Sequence, residues 1–483
     1  MRNAIVKSVY RKSVVYLLVF IYVFLAKPIY VSAADDIDYH NMGYGEISSQ
    51  IAKDVADYHV PGMAVIVVDK DEVLFSGTYG DCESIDTPFI IGSMSKSFTA
   101  LSIMQLVEQG KIELDAPISK YIECSGVLKK ASEGDGITVR QLLNHTSGLD
   151  TNHYFGNAEI TDSRGKYKYS NIGYALLGKI VEAVSESTYE DYVEQNIFQP
   201  LNMEHTAASF EKSKANGMIK GYRNYFGIPV AGAPNYPNGS NPSKHSAPYS
   251  TVPAGYISSS AADMGKYLQM YLNGGRGIIS QSSIDTMFYD YVPKDENGKD
   301  FYGMGWGYSE QFSTPLLNHS GLVENYTSNM FIIPEKEIGI VVLVNMNDYL
   351  VDNNLLGNII LPLLGEEKVS LPNHAYTLFH LLIDIVYLII VFIAVYPVVS
   401  IKRWKNKPKT RGLLIFDILR HGIFPVFLLA LPYILGSPLW LVWYFVKDLF
   451  LVLTLSSTIL LGAGIYKIVK SCRNKCNEYI ECE

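Results

Sequence analysis

A serine becomes a useful nucleophile when a neighbouring group takes its proton, and one segment of this chain supplies such a pair. In Ile91-Gly92-Ser93-Met94-Ser95-Lys96-Ser97-Phe98-Thr99-Ala100, a serine and a lysine stand three positions apart where an apolar-periodic stretch begins. The pattern predicts an amphipathic helix with Phe98, Leu101, Met104 and Val107 on its apolar stripe. Positions i and i+3 share a helix face, so Lys96 can reach the hydroxyl of Ser93. Burial keeps a lysine neutral, and a neutral lysine can act as the base for that hydroxyl. The helix N-terminus also favours negative charge developing on Ser93. The same spacing occurs at Ser163-Arg164-Gly165-Lys166 and Ser209-Phe210-Glu211-Lys212, but both lie in polar stretches and neither opens an apolar-periodic helix. Context selects Ser93.

Two further groups belong with that pair. Tyr169-Ser170-Asn171 precedes a helical stretch, 173–184. A tyrosine held near a lysine can exchange a proton with the serine or a leaving amine, and an asparagine amide can both donate and accept. Tyr39, Tyr222, Tyr236 and Tyr271 each begin a Tyr-x-Asn as well. Only Tyr169 opens a helix between Ser93 and a later strand motif. That motif is His319-Ser320-Gly321. A strand edge there can offer the backbone N–H of Leu322, to pair with that of Ser93 as an oxyanion hole. The small residues let a substrate lie close. Taken alone, a histidine before Ser-Gly reads more often as a turn residue than as a site residue. No Gly-x-Ser-x-Gly elbow and no His-Glu-x-x-His pair occurs, and no metal or cofactor is expected.

The elements that must hold these groups follow from hydrophobic pattern. Residues 62–68 (GMAVIVV) form a continuous apolar run, 69–72 turn, and 73–75 return, the signature of a hairpin with one strand buried on both faces. A late counterpart spans 329–333, a turn at 334–337, and 338–344. Helical stretches dominate between, at 97–109, 173–184 and 261–272. The expected fold is α/β: one antiparallel sheet closed by the two ends of the domain, flanked by helices, with an inserted all-helical lobe.

Composition changes after residue 368. Segments 377–399 and 413–435, and a third within 439–466, are long and apolar enough to span a bilayer. Lys402, Arg403, Lys405, Lys407, Lys409 and Arg411 follow the first, and Lys467, Lys470, Arg473 and Lys475 follow the third. The positive-inside rule places both clusters in the cytoplasm and the preceding domain outside. Asp417, Arg420, Lys447 and Asp448 are expected at interfaces or paired within the bundle. The first residues read as an export signal: a basic n-region, the apolar stretch 14–26, and Val31-Ser32-Ala33 at a cleavage site, with an uncleaved anchor as the alternative. The expected plan is a signal peptide at 1–33, an extracytoplasmic domain at 34–368 and a linker at 369–376. Three transmembrane helices follow at 377–470, with a cytoplasmic loop at 402–411 and a cytoplasmic tail at 471–483. Apolar residues make up 48% of the chain, in keeping with membrane segments. A net charge of −8, with no basic patch interleaved with aromatics, argues against nucleic-acid binding. Cys82 and Cys124 could form one disulfide outside the cell, although two buried thiols are the preferred reading. The sequence leaves the oligomeric state open.

In their order, the three motifs resemble the serine β-lactamase and penicillin-binding-protein superfamily. The branch is that of class C enzymes, D-alanyl-D-alanine peptidases and esterases, where the third motif is Lys-Thr-Gly or His-x-Gly. Residues 137–149 (ITVRQLLNHTSGL), 197–203 (IFQPLNM) and Pro253-Ala254-Gly255-Tyr256 agree with it. The resemblance implies acyl transfer through Ser93, with Lys96 and Tyr169 moving protons and Asn171, His319, Gly321 and Leu322 binding substrate. It implies no separate deacylating glutamate, and His145 becomes scaffold. Three membrane helices behind such a domain look like the prodrug-activating peptidases of nonribosomal peptide pathways, which remove an N-acylated D-asparagine cap. Gly92-Ser93-Met94-Ser95-Lys96 and Asn345-Met346-Asn347 fit that group, and by similarity Asn325 contacts the asparagine side chain. The expected activity is a peptidase on a D-amino-acid amide, in a capped prodrug or cell-wall peptide, at the plasma membrane of a bacterium. The partners are then a small peptide or acyl-D-amino-acid substrate and the lipid bilayer. A β-lactamase or esterase on the same scaffold, and a non-catalytic penicillin-binding sensor, are the alternatives.

Overall fold

The computed structural model describes residues 44–480 apart from 127, 150–157, 238–250, 349, 352–354, 356–358, 362–374, 406–409 and 436. The expected signal peptide, part of the basic loop and the last three residues lie outside the described residues. The principal strands are β1 (Gly62–Val68), β2 (Val73–Gly80), β3 (Val292–Pro293), β4 (Asp300–Tyr302), β5 (Gly307–Ser309), β6 (Leu316–Val323), β7 (Tyr326–Ile333) and β8 (Ile338–Val344). They make one eight-stranded sheet in the order β2-β1-β8-β7-β6-β5-β4-β3. β1 pairs antiparallel with β8, from Met63 opposite Val344 to Val68 opposite Gly339, so the two ends of the domain close the sheet as expected.

The unbroken apolar run of β1 has a direct cause. Its side chains alternate between two cores, Ala64, Ile66 and Val68 on one face and Met63, Val65 and Val67 on the other. Neither face meets water, so neither calls for polar residues. Helix α1 (Tyr44–Asp57) covers the second face with Ile47, Ile51 and Val55, spaced one turn apart. Helices α2 (Ser95–Glu108) and α4 (Ala261–Leu272) lie on the first face, and α3 (Asn171–Ser185) belongs to the helical lobe beyond α2. At the β1–β2 turn, the Asp69 carboxylate accepts N–H bonds of 2.8 Å from both Asp71 and Glu72.

The amphipathic expectation for α2 does not hold. Every residue from Ser95 to Leu106 is buried, because the helix runs between sheet and lobe. Its polar side chains are satisfied internally instead of facing solvent. Thr99 Oγ1 lies 2.7 Å from both Tyr189 Oη and the Pro253 carbonyl, and Gln105 donates to the carbonyls of Asn196 and Ile278. Cys82 and Cys124 are separate buried thiols, both pushed above the ordinary thiol range by burial.

The C-terminal region contains three helices long and apolar enough to cross a membrane: Tyr376–Val399 within α5 (Ala375–Val399), α6 (Arg411–Ile434), and Lys447–Arg473 within α8 (Lys447–Ile480). The third differs from expectation. Residues 439–445 are a separate short helix, α7 (Leu439–Phe445), ended by Val446 at φ −138° and ψ 66°. Two of the charges singled out in the sequence find partners between helices: Asp417 lies 2.5 Å from Lys467, and Arg420 donates to the Ile393 carbonyl. The Asp448 carboxylate accepts the N–H of Phe226, in the turn of the hairpin formed by Gly221–Tyr225 and Ile228–Gly232.

Candidate active site

Ser93 stands in a tight turn, Gly92–Met94, that runs directly into α2. The Ser95 hydroxyl donates to the Gly92 carbonyl at 2.7 Å, and Ser328 donates to the Ile91 carbonyl at 2.8 Å. Gly92 has φ +53°, and a Cβ there would come within 2.5 Å of the Leu322 nitrogen. A Cβ on Gly321 would come within 2.0 Å of the Ile91 oxygen. The pair of glycines lets the serine turn press against β6 with backbone on backbone. β5 pairs only with Leu316–Asn318 of β6, so the stretch from His319 to Val323 runs past it and meets the serine turn.

Lys96 is completely buried. Its Nζ lies 3.0 Å from Ser93 Oγ, 2.7 Å from Asn171 Oδ1 and 2.5 Å from the Ala254 carbonyl oxygen. Burial holds the amine well below the ordinary lysine range. A neutral amine has two hydrogens and one lone pair. The two carbonyl-type oxygens can only accept, so they take both hydrogens and the lone pair is left for the Ser93 O–H. The Tyr169 ring lies beside this amine, with its centroid 4.8 Å from Nζ.

The other sequence-selected groups converge on the same place. Ser170 caps α3 by accepting from the Gly173 N–H at 3.2 Å, which sets Tyr169 and Asn171 on either side of the cap. His145 accepts the Ser170 N–H at 3.1 Å and stacks obliquely on Tyr169 at 4.4 Å. Burial keeps its imidazole well below the usual range, and the nearby Lys96 adds to this. His145 therefore positions the cap without touching the serine, as a scaffold residue would. His319 is neutral too, held to about 3 by burial and by Lys96. Its Nδ1 faces the Ser320 carbonyl at 2.7 Å and must carry the hydrogen, so Nε2 accepts the Tyr302 hydroxyl at 3.0 Å.

Ser93, Tyr169, Asn171, His319 and Leu322 line one cavity of about 630 Å³. Gly321 contributes by close packing against Ile91. Asn325 does not join them. It is fully buried, accepts from Arg223 Nε at 2.8 Å, and donates to the Gly221 and Gly232 carbonyls. Its amide ties the β6–β7 turn to the 221–232 hairpin, which corrects the expected substrate contact. Sequence reasoning missed several contributors to the cavity, Tyr167, Tyr302 and Asn318 among them, and three more are instructive. Lys294, lowered by burial, follows β3 with no local signal. Glu324 accepts from Tyr256 and Asn235, and its place three residues after Gly321 was a usable hint. The third is α7, whose Trp- and Tyr-rich composition suits a membrane interface better than its interior.

Among known families, Beta-lactamase matches residues 47–360. The chain belongs to the beta-lactamase family. Among its relatives, protein flp of Staphylococcus aureus (strain NCTC 8325 / PS 47) is 26% identical over 332 residues, covering 62% of this chain and 63% of that protein. Beta-lactamase-like protein 4 of Dictyostelium discoideum is 28% identical over 349 residues, covering 62% of this chain and 58% of that protein. The chain thus spans less than two thirds of the length of these relatives. The octameric penicillin-binding protein homologue from Pyrococcus abyssi aligns with a TM-score of 0.53 at 30% identity, over 63% of this chain and 74% of that one. The D-amino acid amidase from Ochrobactrum anthropi SV3 shares the fold, with a TM-score of 0.52 at 23% identity, over 67% of this chain and 97% of that one. The family's members are generally serine hydrolases, and Ser93, Lys96, Tyr169, Asn171 and His319 lie within the matched residues, whereas the α7 side of the cavity lies outside them.

Proposed function

We propose that this family member is a membrane-anchored, extracytoplasmic serine peptidase that cleaves a D-amino-acid amide through an acyl-serine intermediate. The observation that carries the reading is the surroundings of Lys96: a fully buried amine within hydrogen-bond distance of Ser93 Oγ, Asn171 Oδ1 and the Ala254 carbonyl, where burial favours its uncharged form. Ser93 Oγ attacks the amide carbon as its proton passes to Lys96. The backbone N–H groups of Ser93 and Leu322 hold the oxyanion, and the C–N bond breaks as the amine takes a proton through Tyr169. Water then gives a proton back to the same pair and attacks the acyl carbon. The acid leaves and Ser93 recovers its hydrogen.

The likeness of fold to a D-amino acid amidase supports an amide of a D-residue as substrate. The three apolar helices and the basic residues after the first support anchoring with the catalytic domain outside. Two measurements on the full chain in lipid nanodiscs test the proposal. A fluorophosphonate probe should add to Ser93 by mass spectrometry, and N-acyl-D-aminoacyl amides should be cleaved in preference to their L-counterparts. Absence of an adduct on Ser93, or an equal rate for both enantiomers, overturns the enzyme or the stereochemical assignment respectively.

A further inference from the structure

The hairpin of Gly221–Tyr225 and Ile228–Gly232 turns on two residues, Phe226 and Gly227, both in the left-handed region at φ +53° and +74°. Such a turn ordinarily takes Asn-Gly, because a bulky side chain is strained there. Gly227 has a packing reason: a Cβ on it would come within 2.9 Å of the His380 Cβ on α5. Phe226 has a partial one. Its ring meets that of Tyr387 edge to face at 5.9 Å, yet the residue is 44% exposed. Ile228 and Val230, at 63% and 45% exposed, follow on one face of the returning strand. Three large apolar side chains thus project from one short hairpin, where a turn facing water calls for polar residues.

The hairpin's place in the fold says what covers them. Asn224 donates to the Tyr376 hydroxyl at 2.6 Å and to Asp348 at 2.7 Å, which fixes the hairpin to the head of α5. The tip meets His380 and Tyr387, both within the apolar span Tyr376–Val399. Its Phe226 N–H reaches Asp448 at the head of the span Lys447–Arg473. At a rise of 1.5 Å per residue, His380 lies roughly 6 Å into the first span and Tyr387 roughly 16 Å. Leu381, Ile385 and Leu388 are exposed at that level of α5, so the apolar surface of the tip continues that of the span.

We infer that the tip of this hairpin is a membrane-contact surface, with Phe226, Ile228 and Val230 covered by lipid on the extracytoplasmic side of the bilayer. This rests on reading the three helices as membrane spans and goes beyond it, since the contact belongs to the beta-lactamase-like domain itself. Asn325 ties the same hairpin to the β6–β7 turn through the Gly221 and Gly232 carbonyls, so the contact is joined to the strand that carries Leu322.

The test places the photoreactive residue p-benzoylphenylalanine singly at Ile228, Phe392 or Val73 of the full chain, in nanodiscs of phosphatidylcholine and phosphatidylglycerol. Lipid adducts are then read by mass spectrometry. Phe392 is 67% exposed within the first span. Val73 is exposed too, but begins β2, whereas the strand approaches the hairpin past its other end, where the Tyr222 hydroxyl donates to Asp81. Adducts should form at Phe392, and at Ile228 at a level at least about fivefold above Val73. An unchanged melting temperature in each variant reports an intact fold. Adducts at Phe392 with Ile228 no higher than Val73 overturn the inference and leave the spans standing. A protein–protein adduct at Ile228 in place of lipid assigns the face to a second copy of the chain and overturns it too. No lipid adduct at Phe392 removes the anchoring reading as well.

Discussion

Lys96 in the beta-lactamase-like domain and Lys467 in the C-terminal helices are both buried amines, yet they are solvated in opposite ways. Lys467 rests on the Asp417 carboxylate at 2.5 Å and touches His421 Nε2 at 2.9 Å. Lys96 meets a hydroxyl, an amide oxygen and a backbone carbonyl, and among the described residues no carboxylate stands within ion-pair distance. A buried cation with a counter-ion is a structural joint between helices. A buried amine given only neutral acceptors is pushed toward its uncharged, basic form, at a cost to stability that a functional site can bear.

The comparison is broken most severely at Lys96. Lys96→Arg keeps a nitrogen donor near Ser93 but cannot lose its proton, and it should cut Ser93 acylation by at least about a thousandfold, as much as Lys96→Met. If arginine retains the rate, the base is elsewhere. Lys96→Met should also raise the melting temperature, since an unpaired buried amine gives way to an apolar chain. Lys467→Met should do the reverse. Removing one partner of a buried pair costs about 3–5 kcal/mol, so melting in nanodiscs should fall while Ser93 labelling persists. Lys467→Met with Asp417→Leu should recover most of that loss.

Two smaller effects concern pH. Because only neutral Lys96 accepts the serine proton, acylation should rise with pH and level off well short of the ordinary lysine value of 10.5. A rate still climbing at that value would contradict the burial argument. His319 tests stability. Its folded value is lowered from 6.5 to about 3, so between those values the unfolded chain binds more protons than the folded one. Stability should therefore fall as pH drops through that window, by up to about 1.4 kcal/mol per pH unit for this group. His319→Gln should flatten the slope seen in melting temperature against pH, and an unchanged slope would mean that other groups account for it.

Local pattern determined a good deal of this molecule. The continuous run of β1 and its late partner β8 announced a sheet closed by its ends, because burial on both faces leaves an unbroken apolar string. The i, i+3 spacing of Ser93 and Lys96 was enough to place amine beside hydroxyl, since helix geometry is the same wherever a helix forms. The tertiary structure decided what that spacing could not. That α2 has no solvent face depends on the lobe packed over it, so its serines and threonines misled a reading based on amphipathicity. Asn325 looked like a recognition residue until its amide was found spent on Arg223 and two backbone carbonyls, partners about a hundred residues away. Lys294 and α7 reach the cavity from segments far from Ser93 in the chain. No short-range periodicity encodes such a meeting, because it is set by how whole layers stack, and there the sequence alone fell silent.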